Sequence, residues 1–425
     1  VFFLDGPGGT GKSFVLDKIL AYTRRQSKIA LATASSGIAT LLLAGGRTVH
    51  STFKLPLDLN ENSTAQSLRS NTARYNGNPF GGKVLLLSGD FRQILPIVPK
   101  GTDAQVINEC IKSTLWPLFS KLRLCVNMRV RTAHNAHHAS ELHEFPSFLV
   151  RIGEGQHDTF AELTHEHAKI PRDMVLPRSV NPLHGIQSLV ARAYPNIEQC
   201  CQDPAYFSDR AILSPLNVDV TNINNLVLEH IPGRVREYHS VDTLVNPEEH
   251  EHLQLPSEYL NSLNISGIPV LSLRLKPLHI GQILLRNLNL DMGLCNGTRL
   301  QIVHTKANYI HAKILTGKRR GDDVLLPRIY CDSNDKEHAF QFRRKQFPIQ
   351  VCFSMTINKA QGQSLHHLGL YLPKPVFAHG QLYVALSRVT SRSKIAILIP
   401  NPEREDDEGV ATKNIVYGEV VGDQP

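Results

Sequence analysis

Short apolar runs, each followed by a polar or glycine-rich turn and then a helical stretch, recur at both ends of the chain. Val1-Phe2-Phe3-Leu4 is one such run, and after a glycine-rich loop Phe14, Val15, Leu16, Ile19 and Leu20 return at helical spacing. Residues 29–32, 83–93 and 122–124 predict further strands, with 84–87 apolar as in a buried parallel strand and the rest of that run ending in polar residues. Residues 38–44, 106–118 and 145–152 predict helices. The alternation restarts with a strand at 210–215 and a helix at 217–230. It closes with strands at 347–353, 368–372 and 395–399 and a helix at 379–390. Between 241 and 346 the apolar runs are short and split by turn residues, a β-rich pattern. Residues 57–82 are polar and show no apolar strand, an odd length of loop inside a compact domain.

The patterns predict an α/β protein in five parts. Residues 1–130 form a first domain, 131–209 a linking region of helix and loop, and 210–240 with 346–400 a second α/β domain. Residues 241–345 are a β-rich insertion, and 401–425 an acidic tail. The tail holds Glu403, Glu405, Asp406, Asp407 and Glu408 and reads as disordered. Residues 157–182 read as loop with short elements.

At 425 residues the chain is long enough for two or three cores. Its 41% hydrophobic and 20% charged residues are those of a globular protein. A net charge of +8 mildly favours a polyanionic partner. The basic clusters Lys318-Arg319-Arg320 and Arg343-Arg344-Lys345 are solvated surface or nucleic-acid contacts. Seven cysteines without a C-x-x-C pair argue for reduced thiols and against a zinc module. His134, His137, His138 and His143 have no carboxylate or Cys to complete a ligand set and read as solvated surface. No apolar run is long enough to cross a bilayer. Val1 already stands inside a strand, so the chain reads as a fragment.

The chemistry begins at Gly6-Pro7-Gly8-Gly9-Thr10-Gly11-Lys12-Ser13, a G-x-x-x-x-G-K-S loop between a strand and a helix. Backbone N–H groups of such a loop curl round phosphate oxygens, and the helix N-terminus adds partial positive charge. Lys12 is expected to reach the β- and γ-phosphates, and the Ser13 hydroxyl to ligate Mg²⁺. Thr33-Ala34-Ser35-Ser36 places small hydroxyls at a strand end, as suits a phosphodiester backbone. Residues 45–53 mix Arg47, hydroxyls, His50 and Phe53, as a single-strand contact surface does, although a plain polar loop fits too. Asp90, after an apolar strand, would on its own read as a Mg²⁺-binding acid.

Further segments are Gly89-Asp90-Phe91-Arg92-Gln93, Asn127-Met128-Arg129, Leu294-Cys295-Asn296-Gly297-Thr298-Arg299, Thr356-Ile357-Asn358-Lys359-Ala360-Gln361-Gly362-Gln363-Ser364 and Tyr383-Val384-Ala385-Leu386-Ser387-Arg388. In this order, with the phosphate loop and residues 33–39, they resemble the Pif-type helicases of superfamily 1. More narrowly they resemble the plant and Helitron-transposon-like branch. The resemblance implies two RecA-like domains with parallel sheets, ATP in the cleft between them, and a small β-barrel inserted in the second. It implies an ATP-dependent helicase that moves 5′ to 3′ on single-stranded DNA, acts on forked duplex as a monomer, and serves DNA repair, recombination and telomere maintenance. The nucleus is the implied compartment, with the mitochondrion as the alternative.

By position, the resemblance gives Lys12, Gln93, Arg129 and Arg388 to catalysis. Gln93 would face the γ-phosphate and its attacking water, which moves Asp90 from the metal to this coupling motif. Arg129 and Arg388 would be arginine fingers, since a guanidinium neutralises the charge spread over equatorial oxygens. Gln361 and Gly362 would join Gly6, Pro7, Gly8, Gly9, Thr10, Gly11, Lys12 and Ser13 around the nucleotide. Thr33, Ser35, His50, Thr356 and Lys359 would meet DNA.

The family also carries an Asp-Glu pair at the end of a strand between the motifs around His50 and Asp90, where the Asp helps hold Mg²⁺ and the Glu activates water. This sequence has no such pair. It jumps near Ala65, and roughly 40–50 residues are missing, enough for a strand, the acids and part of a helix. The alternative function is therefore a nucleic-acid-binding remnant with impaired catalysis.

Overall fold

The computed structural model describes residues 1–55, 79–96, 98, 101–111, 116–128, 136–200, 203, 206–207, 209–245, 248, 257–263, 265, 267–276, 280–317, 319–333 and 340–422. In the first domain these are β1 (Phe2–Asp5), α1 (Lys12–Arg25), β2 (Thr33–Ala34), α2 (Gly37–Leu41), β3 (Arg47–Thr48), α3 (Val49–Phe53), β4 (Leu86–Gly89), α4 (Asp103–Ile111) and β5 (Ser120–Arg123). The long helix α5 (Ala136–Glu154), β6 (His167–Pro171) and α6 (Pro182–Ala193) follow.

The first sheet has the order β4-β1-β5, all parallel, with Phe2 opposite both Leu86 and Ser120. Among the described residues β4 therefore stands at an edge, although its sequence reads as a buried parallel strand. Leu87 is 40% exposed and Val84, just before it, 84%. Residues 29–31 do not form the strand their pattern predicts, and Ile29 and Leu31 are 91% and 67% exposed. Two apolar stretches of the first domain thus lie uncovered. Before residue 128 the buried apolar side chains among the described residues are Phe3, Leu4, Leu20, Ala32 and Leu95.

The second domain is built more fully. Its strands are β7 (Arg210–Ser214), then, beyond α7 (Asn217–His230) and the insertion, β18 (Ser354–Thr356), β19 (His367–Tyr371) and β20 (Ile395–Leu398), with the short helix α8 (Gln381–Leu386) between the last two. The sheet is parallel in the order β18-β7-β19-β20. Ala211, Ile212, Leu213 and Ser214 are fully buried, as a central parallel strand requires. α7 covers it with Val220, Ile223, Asn224, Val227 and Leu228, one stripe at helical spacing. The buried Asn224 is satisfied: its amide donates to Val351 O and Ser354 O, each at 3.1 Å, and its oxygen accepts from Ser354 N.

The insertion carries β8 (Arg236–His239), β9 (Val241–Leu244), β10 (Ser272–Leu275), β11 (Ile280–Leu284), β12 (Arg299–Thr305), β13 (Tyr309–Ile314), β14 (Asp323–Pro327), β15 (Ile329–Asp332), β16 (Phe342–Gln346) and β17 (Ile349–Val351). They form antiparallel sheets in the orders β14-β13-β12-β11-β17, β15-β16-β9 and β10-β8. Along β13 and β14 buried and open positions alternate, the pattern of a sheet with one face on a core. Arg344 is no surface cation. It is buried against Asp242, which accepts from Nη2 at 2.5 Å and from Nε at 2.9 Å. Arg343 does face solvent and pairs with Asp332.

The acidic tail is ordered through residue 422, contrary to its composition. β21 (Gly409–Lys413) pairs antiparallel with β6, inside the stretch that reads as loop. The tail's acids have partners: Asp406 and Glu408 take Lys169 at 2.8 Å, Glu405 takes Arg172, and Glu403 meets the His167 ring. Beyond β21, Tyr417 donates its N–H to His379 Nδ1 and its hydroxyl to Asp103 at the start of α4.

Candidate active site

β1 delivers the chain into the loop at Gly6, and α1 starts at Lys12. Gly11, at φ 88° and ψ 19°, is left-handed, a conformation that costs a residue with a Cβ dearly. No side chain caps α1, so its first N–H groups face the loop as an anion site. The buried Thr10 hydroxyl donates to Pro7 O at 2.9 Å and tightens the turn. The Lys12 ammonium donates to the carbonyls of Gly6 and Pro7 and lies 4.0 Å from Asp90. Burial holds its pKa below the ordinary value, against the opposing pull of Asp90 and Asp5. These features fit the phosphates of a nucleotide. For Mg²⁺, which takes oxygen ligands, Ser13 offers an exposed hydroxyl at the head of α1. Asp90 is committed elsewhere, while Asp5 Oδ1 is buried without a hydrogen-bond partner.

The second domain closes on this loop through α8 and the turn before it. The Tyr383 hydroxyl accepts from Gly8 N at 2.9 Å and donates to Asp90 Oδ2 at 3.1 Å. Asp90 Oδ2 also accepts from the Gln93 amide at 3.1 Å, and Gln93 Oε1 accepts from the Gln361 amide, again at 3.1 Å. One hydrogen-bond path thus runs from the phosphate loop through Tyr383, Asp90 and Gln93 to Gln361. Gly362, beside Gln361, has a positive φ at the turn.

Behind the path lies a buried ionic knot. Arg92 forks onto Glu154 Oε1, at 2.5 and 3.0 Å, with Asp90 at 3.5 Å and Asp5 at 3.9 Å. Burial opposes the Arg92 charge, but Glu154 and the two aspartates outweigh it and raise its pKa. The same burial raises the Asp5 pKa, the nearby arginines only partly offsetting it. His379, in the turn before α8, donates from Nε2 to Phe91 O at 2.8 Å and accepts the Tyr417 N–H on Nδ1. Those two partners set its neutral tautomer.

Of the residues read from the sequence, Lys12, Gln93, Gln361 and the phosphate loop come together. Arg388 is buried in the second domain, donating to the carbonyls of Val384 and Gln363 and to the Ser387 hydroxyl. It is near enough to Lys12 for its charge to act on that amine. Arg129 and His134 lie outside the described residues, as do the side chains of His137, His138 and His143. Thr33 in β2, the exposed Ser35 and His50 in α3 stand on the first domain. Thr356 ends β18, and the exposed Lys359 follows in a 3₁₀ turn on the second. Sequence reasoning gave no role to Tyr383, Arg92, Glu154 or His379. The only signal was a polar atom inside an apolar run, as at Leu382-Tyr383-Val384.

Residues 1–77 and 65–162 match the PIF1-like helicase family, and residues 258–304 match the DNA helicase Pif1 2B domain. The ATP-dependent DNA helicase PIF1 of Homo sapiens is 26% identical over 448 residues, covering 94% of this chain and 58% of that protein. Over residues 1–162 and 258–304 the chain is thus similar to PIF1-like helicases. It spans just under three-fifths of the length of this relative. Among solved structures, Bacteroides Pif1 bound to ssDNA superposes with a TM-score of 0.61 at 19% identity, covering 93% of this chain and 88% of that one. Pif1 helicase from Candida albicans gives 0.57 at 22%, covering 93% and 91%. The fold is therefore that of two RecA-like domains with parallel sheets. The two stretches of the family match overlap at residues 65–77, where the sequence jumps. The alignment with the human relative runs about 48 positions longer than the aligned part of this chain, 94% of 425 residues.

Proposed function

We propose that the chain is a DNA motor of this family, hydrolysing ATP to move 5′ to 3′ along single-stranded DNA and to separate duplex at a fork. The observation that carries the reading is the hydrogen-bond path from Gly8 through Tyr383, Asp90 and Gln93 to Gln361, which joins both domains at the phosphate loop. ATP is the nucleotide in this reading, with Lys12 on its phosphates and Ser13 on Mg²⁺. The bound ion would screen the phosphate charge. Gln93 orients the attacking water, and Arg388 and Arg129 neutralise developing charge after Arg388 leaves its carbonyl partners. Thr33, Ser35, His50, Thr356 and Lys359 grip the strand, and loss of the γ-phosphate loosens one domain's grip relative to the other. The compartment is the nucleus, and the work repair, recombination and telomere upkeep.

A second reading is favoured by the open edge of β4 and the uncovered Ile29 and Leu31. There the chain binds nucleotide and nucleic acid but hydrolyses slowly, because the strand bearing the two acids is missing. Steady-state ATP hydrolysis with and without single-stranded DNA separates them. DNA stimulation of about tenfold or more supports the motor. Turnover at background, with nucleotide and DNA binding intact, supports the second reading. Binding of neither sinks both.

A further inference from the structure

Tyr383 hydrogen-bonds the second domain to the phosphate loop, and none of the motif roles above uses it. Its side chain is buried within α8, whose residues from Gln381 to Leu386 are all buried, so the ring has no room to change rotamer. The ring is wedged against α5 at Gly153, where an added Cβ would lie 3.0 Å from Tyr383 Cδ2 and 2.9 Å from Arg92 Cβ. From this seat the hydroxyl makes two bonds of opposite sense, accepting from Gly8 N and donating to Asp90 Oδ2. Burial and the Asp90 charge raise the phenol's pKa, so it remains a donor at neutral pH.

Gly8 carries one of the backbone N–H groups of the phosphate loop, and Asp90 holds Gln93, which meets Gln361. A shift of the loop by a bound phosphate therefore reaches the Gln93–Gln361 contact through the Tyr383 hydroxyl and Asp90 Oδ2.

The geometry points to Tyr383 as a positioning residue that couples the nucleotide site to the nucleic-acid site, by tying the phosphate loop to the Asp90–Gln93–Gln361 path. The inference rests on the proposed function in requiring that nucleotide and single-stranded DNA bind this chain and influence one another. It does not require hydrolysis.

The test is the ratio of ATP-analogue affinities with and without saturating oligo-dT, using a fluorescent non-hydrolysable analogue on the full chain. The wild type is expected to show a ratio of about 5 or more, the lower end of ordinary coupling. Tyr383→Phe keeps the ring and removes only the hydroxyl. It is expected to bind the analogue alone within about threefold of wild type while its ratio falls below about 2. Asp90→Asn keeps the shape and one acceptor oxygen, and is expected to lower the ratio by less. It also serves if the phenylalanine variant does not fold, as oligo-dT affinity and thermal melting reveal. A Tyr383→Phe variant with the wild-type ratio overturns the proposal. So does one that loses analogue affinity equally with and without DNA, the mark of a merely structural residue. A wild type that binds both ligands with a ratio of one overturns the coupling itself. A wild type that binds neither overturns the proposed function and the coupling with it.

Discussion

Gln361 and Gln93 meet across the cleft between the two domains, the Gln361 amide donating to Gln93 Oε1 at 3.1 Å. The contact is open to solvent, so its worth in stability is small, about 0.5–1 kcal/mol. A double-mutant cycle of Gln93→Ala and Gln361→Ala in urea unfolding is expected to return a coupling energy in that range. Strict additivity would show that the pair does not hold in solution.

Lys12 holds the phosphate loop by its own carbonyls and lies 4.0 Å from Asp90. Charge-assisted bonds to phosphate contribute about 1.5–3 kcal/mol, so Lys12→Ala is expected to weaken ATP binding roughly 10- to 100-fold. Isothermal titration with ATP reads this directly. An unchanged affinity would place the nucleotide elsewhere.

His379 is held neutral between Phe91 O and the Tyr417 N–H, and burial depresses its pKa below the ordinary 6.5, with Asp90 pulling weakly the other way. Below pH 6.5 the unfolded chain therefore takes up a proton that the folded chain resists. Stability from this site is complete above 6.5 and is lost as pH falls through the window down to the depressed value. His367, held near 4 by burial and its cationic neighbours, adds a loss of the same sign. Melting at pH 7.5 and 5.5 is expected to show a lower Tm in acid. His379→Gln should melt lower at pH 7.5 and lose part of that pH dependence, and an undiminished dependence would assign the effect to other groups.

Arg344 and Asp242 face one another across β16 and β9, both buried. Asp242→Ala leaves the guanidinium with only the carbonyls of Leu260, Leu263 and Pro269. Stranding a buried charge costs about 3–5 kcal/mol, and denaturant unfolding of the variant is expected to show a loss of this size. A loss under about 1 kcal/mol would mean that water reaches the site.

The open edge of β4 gives the most direct test of the missing segment. Inserting about 45 residues of a family member's strand and Asp-Glu pair near Ala65 is expected to raise both Tm and ATP turnover, the latter by two orders of magnitude or more. A folded chimera with unchanged turnover would clear the missing acids of blame.

The two parallel sheets were legible because most of their strands centre on apolar runs, as at Ala211-Ile212-Leu213, and because glycine and lysine spacing marks a phosphate loop. The edge position of β4 was not legible. An apolar strand looks the same whether its neighbour is present or not, and only the missing Asp-Glu pair hinted at it. Order in the tail was invisible for a different reason. Its acids read as solvated, while the partners that hold them, Lys169, Arg172 and His167, lie far upstream where no local pattern connects them. Arg344 looked like surface because neighbouring cations do, yet strand alternation puts it on the face opposite Arg343 and Lys345. The link at Tyr383 needed the two domains in one frame.

The tail's pairing with β6 also fixes an order of events during synthesis. Lys169 and Asp406 are 237 residues apart, and β6 has no β21 to pair with until that length has been made. At ribosomal rates of about 5–20 residues per second the wait is roughly 10–50 s. Over that interval β6, the end of α5 and the first-domain face that receives Tyr417 stay uncovered on the nascent chain. The sheet at β6 is therefore completed only after the chain as far as β21 has been made.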